Sequence, residues 1–277
     1  MIKYQKLINV ILCIFICGYV LSGCSQSSDR HGAESHEPAS TAHNSVSSPL
    51  APASTPAAVN PDIIPLPIEV QGSSYWKGKK IAFLGDSITE LNGFQATVKE
   101  LLQADTIYSY GKSGTTIGGD NLSFTNRMSQ VADDADLIFV FGGTNDFHIS
   151  WPLGSMDSRV NKNSFYGATR MICEYFQENY SEAVIVFITP LQRTLPPMSG
   201  EGTKNARGFE LVDYVDAIIE VCKVYEIPVL DLYETSAITV ETAEQYLYDG
   251  IHPNAEGFAV LANEMVSYLC PGEDLTK

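Results

Sequence analysis

The sequence predicts an α/β protein, a three-layer α/β/α sandwich around a five-stranded parallel sheet. Three observations carry this. Two runs, Leu137-Ile138-Phe139-Val140-Phe141 and Val184-Ile185-Val186-Phe187-Ile188, are apolar without a break and rich in branched and aromatic residues, as strands buried on both faces must be. Between the strand-like runs, apolar residues recur at steps of three and four, the period of a helix. The two patterns then alternate along the chain, as they do when parallel strands are joined by right-handed helical crossovers.

In chain order, Lys80-Ile81-Ala82-Phe83-Leu84 ends in Gly85-Asp86 and reads as the first strand. Thr106 to Tyr110 is a weaker second strand, and Leu137–Phe141 is the third. Thr169, Ile172, Cys173, Phe176 and Tyr180 make one stripe of a helix that leads into the fourth strand, Val184–Ile188. Leu211, Val215, Ile218, Cys222 and Tyr225 make a second stripe, and Val229-Leu230-Asp231-Leu232 follows as the fifth strand. Phe258, Leu261, Met265 and Leu269 make a last helix, with Asn254 placed to cap it. Two long connections, Phe147 to Phe165 and Leu191 to Gly208, are of the length that usually carries function.

The chain divides into three parts. Lys3 and Lys6 precede an apolar run from Leu7 to Val20, and Leu21-Ser22-Gly23-Cys24 then sets small residues before a cysteine. Residues 1–24 resemble a bacterial lipoprotein signal, which implies cleavage before Cys24 and lipid on its sulfur. The run is shorter than the ~20 residues of a membrane span; a single-pass anchor and plain secretion are the other readings. Residues 25–70 are dominated by Ser, Ala, Pro, Thr, His and Asn. Such a segment buries too little apolar surface to offset its ordering entropy and reads as a disordered tether, with a typical reach of about 35 Å. His31, His36 and His43 within it are solvated linker residues ahead of weak metal ligands. Residues 71–277 form the folded domain, long enough for one sizeable core.

With 33 acidic and 17 basic residues the formal charge is −16. That field repels nucleic acid and gains nothing from anionic headgroups, so the predicted partners are a neutral substrate and, through the N-terminal lipid, a bilayer. Cys13 and Cys17 leave with the signal. Cys173, Cys222 and Cys270 show no Cys-x-x-Cys spacing and read as buried small hydrophobes.

Chemistry concentrates in four short blocks, Gly85-Asp86-Ser87-Ile88, Gly111-Lys112-Ser113-Gly114, Gly143-Thr144-Asn145-Asp146 and Asp249-Gly250-Ile251-His252. The first three each follow a strand end, where a parallel sheet gathers its ligand-binding loops. Ser87 supplies a hydroxyl, and an imidazole with a near-neutral unperturbed pKa is the obvious base to take its proton. His252 has Asp249 three residues before it to fix the tautomer; His148 has no such carboxylate. The amides of Ser87 and Gly114 and the side-chain amide of Asn145 are candidate donors to a developing oxyanion. Asp86 and Asp146 read as structural hydrogen bonders. Trp151 is a candidate substrate contact, as a platform for a sugar ring or a wall of an acyl pocket; a hydrophobic plug is the equal alternative.

Together the blocks resemble those of the SGNH hydrolases, the GDSL esterase and lipase family, over nearly the whole domain. The resemblance implies Ser87 as nucleophile, Asp249 and His252 as its relay, and Ser87, Gly114 and Asn145 as the oxyanion hole, with no metal or organic cofactor. Two departures stand out. The first block reads Gly-Asp-Ser-Ile for Gly-Asp-Ser-Leu, and Ser109 stands where the family often has asparagine, which leaves Gly111 as an alternative donor to Gly114. A Gly-x-Ser-x-Gly elbow is excluded, because Thr89 occupies the last position. The implied activity is serine ester hydrolysis through an acyl-serine intermediate. The favoured substrate is an O-acetyl ester on carbohydrate; lipase or lysophospholipase-like hydrolysis, acyl transfer and non-catalytic glycan binding are the alternatives.

Overall fold

The computed structural model describes residues 60–119 and 122–275. The signal, Cys24 and the tether up to residue 59 lie outside the described residues. Strands β1 (Lys80–Gly85), β2 (Thr106–Gly111), β3 (Leu137–Phe141), β4 (Val184–Ile188) and β7 (Val229–Leu230) form one parallel sheet in the order β2-β1-β3-β4-β7. A small antiparallel ribbon, β5 (Gly200–Glu201) with β6 (Lys204–Asn205), lies in the second long connection. The chain runs outward from β1 to β2, then returns across β1 to β3. The strand order therefore reverses between β1 and β3, where a doubly wound sheet opens its crevice.

Side-chain alternation along the strands divides the core in two. Ala82, Leu84, Ile138, Val140 and Phe187 pack beneath the helices Phe165–Asn179 and Leu211–Val224. Ile81, Phe83, Leu137, Phe139, Val186 and Ile188 pack on the other face beneath Gln95–Leu102 and Ala255–Leu269. Each predicted helical stripe lies on a buried face, with Tyr180 and Tyr225 as C-cap residues just past their helices. Asn254 caps the last helix by accepting from the Gly257 N–H at 3.0 Å. Cys173, Cys222 and Cys270 are free and buried, the last as the C-cap of the final helix.

Two expectations need correction. The fifth strand ends at Leu230, not Leu232, because the Asp231 side chain caps a new helix, Leu232–Thr235, and takes the chain off the sheet. The ordered domain also begins before residue 71. Leu66 and Val70 are buried in the core, and the Val229 N–H donates to the Ile64 carbonyl at 3.3 Å. The prolines there disguise an apolar string, Ile63-Ile64-Pro65-Leu66-Pro67-Ile68, that composition alone assigned to the tether.

Candidate active site

Ser87 stands where β1 gives way to a one-turn helix, Ser87–Glu90. The turn requires glycine at 85, since a Cβ there would lie 1.9 Å from Thr89 Oγ1. Asp86 caps the helix, its Oδ1 accepting from the Ile88 N–H at 3.0 Å. Ser87 occupies the first helical position, and its N–H has no acceptor among the described residues.

The candidate base, His252, comes from the loop between Leu247 and Pro253, which close on each other as an antiparallel bridge. Asp249 folds back on its own loop, with Oδ1 accepting from the Ile251 and His252 N–H groups at 3.1 and 2.8 Å. Oδ2 lies 2.7 Å from His252 Nδ1, and His252 Nε2 lies 2.8 Å from Ser87 Oγ. Burial acts to raise the Asp249 carboxyl, but the hydrogen bonds from His252 and Ile251 outweigh it and hold the group below its ordinary value. An ionised carboxylate there keeps the imidazole proton on Nδ1, so Nε2 can accept from the serine hydroxyl. The exposed Tyr248 ring stacks on the imidazole, with centroids 5.6 Å apart and planes at 17°.

Gly114 adopts φ +71°, with open space where a Cβ would stand, and its N–H has no acceptor among the described residues. Gly111 has a different task. It is still paired to Gly85 within the sheet, and a Cβ on it would lie 2.1 Å from the Glu90 backbone nitrogen. It lets the end of β2 press against the turn carrying Ser87. Glu90 reaches across from that turn to the loop after β2, accepting from the Ser113 N–H at 2.7 Å, from the Ser113 hydroxyl and from Lys112 Nζ at 3.3 Å.

Asn145 lies in the short helix Thr144–His148, entered through Gly143 at φ +111°. Its Nδ2 sits 3.3 Å from Asp86 Oδ2 and 3.1 Å from the Thr115 carbonyl. The side-chain amide is thus held between the first and second blocks. Asp86 and Asp146 are both buried, as the sequence reading of structural hydrogen bonders requires. Burial pushes Asp86 up to about 6, opposed by the Ile88 N–H, His252 and Arg127. Burial likewise pushes Asp146 up to about 8, against hydrogen bonds from the Ile117 and Gly118 N–H groups.

Trp151 is half-buried, with its ring against the Gly118–Gly119 backbone and its indole nitrogen without a partner among the described residues. His148 makes no hydrogen bond to Ser87 among the described residues. Its Nδ1 lies 3.1 Å from Arg193 Nη2, and burial with the adjacent guanidinium lowers its pKa. Three residues at the site escaped the sequence reading. Arg193 and Glu90 act on the backbone of segments remote in sequence, and no spacing signals that. Tyr248, four residues before His252 in the same loop, does carry a local signal, an aromatic flanking the candidate base.

The family model for the GDSL-like lipase/acylhydrolase family matches residues 83–260, which span the serine, asparagine, aspartate and histidine just described. Among solved structures, a protein from Lactobacillus plantarum is 31% identical, with 70% of this chain and 97% of that one covered at a TM-score of 0.64. One from Chitinophaga pinensis, described as "a possible lipase", is 23% identical over 68% of this chain and 96% of its own, at a TM-score of 0.56, a likeness that shows the fold alone. No curated protein matches the chain. A match across 83–260, with the five-stranded parallel sheet beneath it, settles membership: the chain belongs to the GDSL-like lipase/acylhydrolase family and is a hydrolase of ester bonds.

Proposed function

We propose that the chain is a serine esterase, exported and held to a membrane by lipid on Cys24, that removes O-acetyl groups from carbohydrate. The single observation carrying the catalytic part is the continuous contact from Asp249 Oδ2 to His252 Nδ1 at 2.7 Å and from His252 Nε2 to Ser87 Oγ at 2.8 Å. In this reading His252 removes the hydroxyl proton as Oγ attacks the ester carbonyl. The oxyanion that forms is met by the free N–H groups of Ser87 and Gly114 and by the Asn145 side-chain amide, which exchanges its 3.3 Å contact with Asp86 Oδ2 for it. The imidazolium then returns its proton to the leaving alcohol, and water repeats the sequence to release acetate and restore the hydroxyl.

Two features support a sugar as the leaving group. An alcohol that takes its proton from Nε2 must depart beside His252, where the exposed Tyr248 ring offers an apolar face of the kind a sugar ring packs on. The strong acidity of the chain disfavours anionic lipid as substrate. Trp151 contributes to the site as backing for the Gly118–Gly119 turn beside the oxyanion loop.

Hydrolysis of p-nitrophenyl acetate by wild type and Ser87→Ala tests the reading. The substitution should cost on the order of 10⁶-fold in kcat; equal rates would remove it. A sharp fall in rate beyond butyrate esters supports deacetylation, whereas a rise with chain length overturns it. Membrane fractionation of Cys24→Ser tests the anchor: release from the membrane is expected, and unchanged association refutes the lipid.

A further inference from the structure

We infer that Arg193 is a positioning residue for catalysis, and that the strap Arg193–Met198 holds the base loop and the Asn145 helix in register. The inference rests on the catalytic reading above. The strap follows β4 and crosses between two parts of the site that share no other direct hydrogen bond among the described residues.

At one end it grips the helix carrying Asn145. Arg193 Nη1 donates to the carbonyl and hydroxyl of Thr144, the residue just before Asn145, at 3.2 and 2.9 Å. Nη2 meets His148 Nδ1 at 3.1 Å, and the guanidinium lies over the Phe147 ring, 5.5 Å from its centroid. The Met198 N–H closes this end on the His148 carbonyl at 2.8 Å. At the other end the Thr194 and Leu195 N–H groups both donate to the carbonyl of Gly250, between Asp249 and His252, at 2.9 and 3.1 Å. Gly250 sits at φ +83°, and a Cβ there would lie 2.5 Å from Thr194 Oγ1. Only glycine allows the base loop to come this close.

Arg193 also fixes the strap's own shape, through Nε to the Leu195 carbonyl at 2.7 Å and Nη2 to the Pro196 carbonyl at 3.2 Å. One planar cation thus spends its donors on the strap and on the oxyanion helix, an arrangement the single ammonium of lysine cannot copy. Burial lowers its pKa to about 10, which leaves it charged at neutral pH and close enough to Asp249 and Asp86 for their charges to favour the cation. Its loss would let the base loop and the oxyanion helix drift relative to each other. A misplacement of about 1 Å in a catalytic group costs about 10²-fold in rate.

The test compares wild type, Arg193→Met and Arg193→Lys on p-nitrophenyl acetate, with melting and far-UV circular dichroism to establish folding. Arg193→Met should lose about 10²-fold in kcat with little change in KM, and Arg193→Lys should recover only part. A cavity of about 220 Å³ borders Arg193, so millimolar guanidinium should enter the space left in Arg193→Met and restore part of kcat, with no such gain for wild type. A folded Arg193→Met with wild-type kcat overturns the inference. So does a loss shared with KM that guanidinium leaves unrelieved. Should Arg193→Met fail to fold, Gly250→Ala loosens the other end of the strap: a kcat-selective loss supports the inference, and wild-type kcat overturns it. An active Ser87→Ala would instead strike the catalytic reading on which all of this stands.

Discussion

Replacing Asp249 by Asn keeps the shape of the base loop and reverses one proton. The carboxylate now takes the Ile251 and His252 N–H groups on Oδ1 and faces His252 Nδ1 through Oδ2 at 2.7 Å. In the variant the amide oxygen can remain on the two backbone donors, which puts the amide NH₂ opposite Nδ1. The ring must then accept at Nδ1 and carry its proton on Nε2, aimed at Ser87 Oγ across the 2.8 Å contact. A base that already holds a proton there cannot take another, and kcat should fall by about 10⁴-fold. The effect on the fold is small by comparison. A hydrogen bond to a charged group contributes about 1.5–3 kcal/mol when shielded; with the Asp249 side chain 39% exposed, solvent screening leaves on the order of 1 kcal/mol. That corresponds to a drop in Tm of about 2–4 °C for a domain of this size. Because the folded carboxyl lies below its ordinary value of 3.8, this contribution is present above that pH and is lost as pH falls below it, so wild type and Asp249→Asn should converge in Tm in acid. Steady-state kinetics on p-nitrophenyl acetate and melting curves measure both effects. A folded Asp249→Asn within tenfold of wild-type kcat would refute the assignment of the tautomer to this carboxylate.

Two further outcomes follow from the site's polar groups. Asn145→Ala should lower kcat by about 10²–10³-fold with little change in KM, as the loss of one oxyanion donor does; an equal rise in KM would mean that Asn145 only binds the ground state. Asp146, with a folded pKa raised by burial to about 8 from 3.8, is neutral in the folded protein over a range where the unfolded chain is ionised. Its contribution to stability is therefore complete below the unfolded value and is lost as pH rises toward 8. Asp146→Asn should flatten the decline of Tm between those pH values, and a parallel decline in both proteins would contradict the neutral form.

The legibility of the fold varied with the physical signal. β3 and β4 match the sequence reading residue for residue, because a strand buried on both faces leaves an unbroken apolar run. The string Val-Leu-Asp-Leu predicts a strand longer than β7, because it suits a strand as well as it suits a strand followed by a capped helix. Composition predicts too late a start for the domain, because Pro65 and Pro67 give a segment with buried Leu66 and Val70 the look of a linker. At the site, Ser87, Asp249 and His252 are legible as a candidate nucleophile and relay, because those roles need particular residue types, and Asp249 and His252 lie at short spacing. Sequence favours Gly114 as the amide donor and leaves Gly111 as the alternative, and only backbone geometry tells a close-packing glycine from one at positive φ with open space before it. Arg193 and Glu90 act through contacts decided by topology, so no local pattern betrays them.

Gly85 and Gly111 occupy the same rung of the β1–β2 ladder. The serine and the amide-bearing loop therefore depart from the sheet at equal height, one from a central strand and the other from an edge strand. A slip of β2 by a single residue would carry its loop about 3.3 Å along the sheet, farther than any hydrogen bond to a nascent oxyanion tolerates. An edge strand has a neighbour on one side alone to resist such a slip. Arg127, buried and donating to the carbonyls of Gly85 and Tyr110 on adjacent rungs, rivets the two strands there. In the proposed mechanism strand alignment is thus itself a part of the catalyst, and the buried Arg127 guanidinium keeps it true.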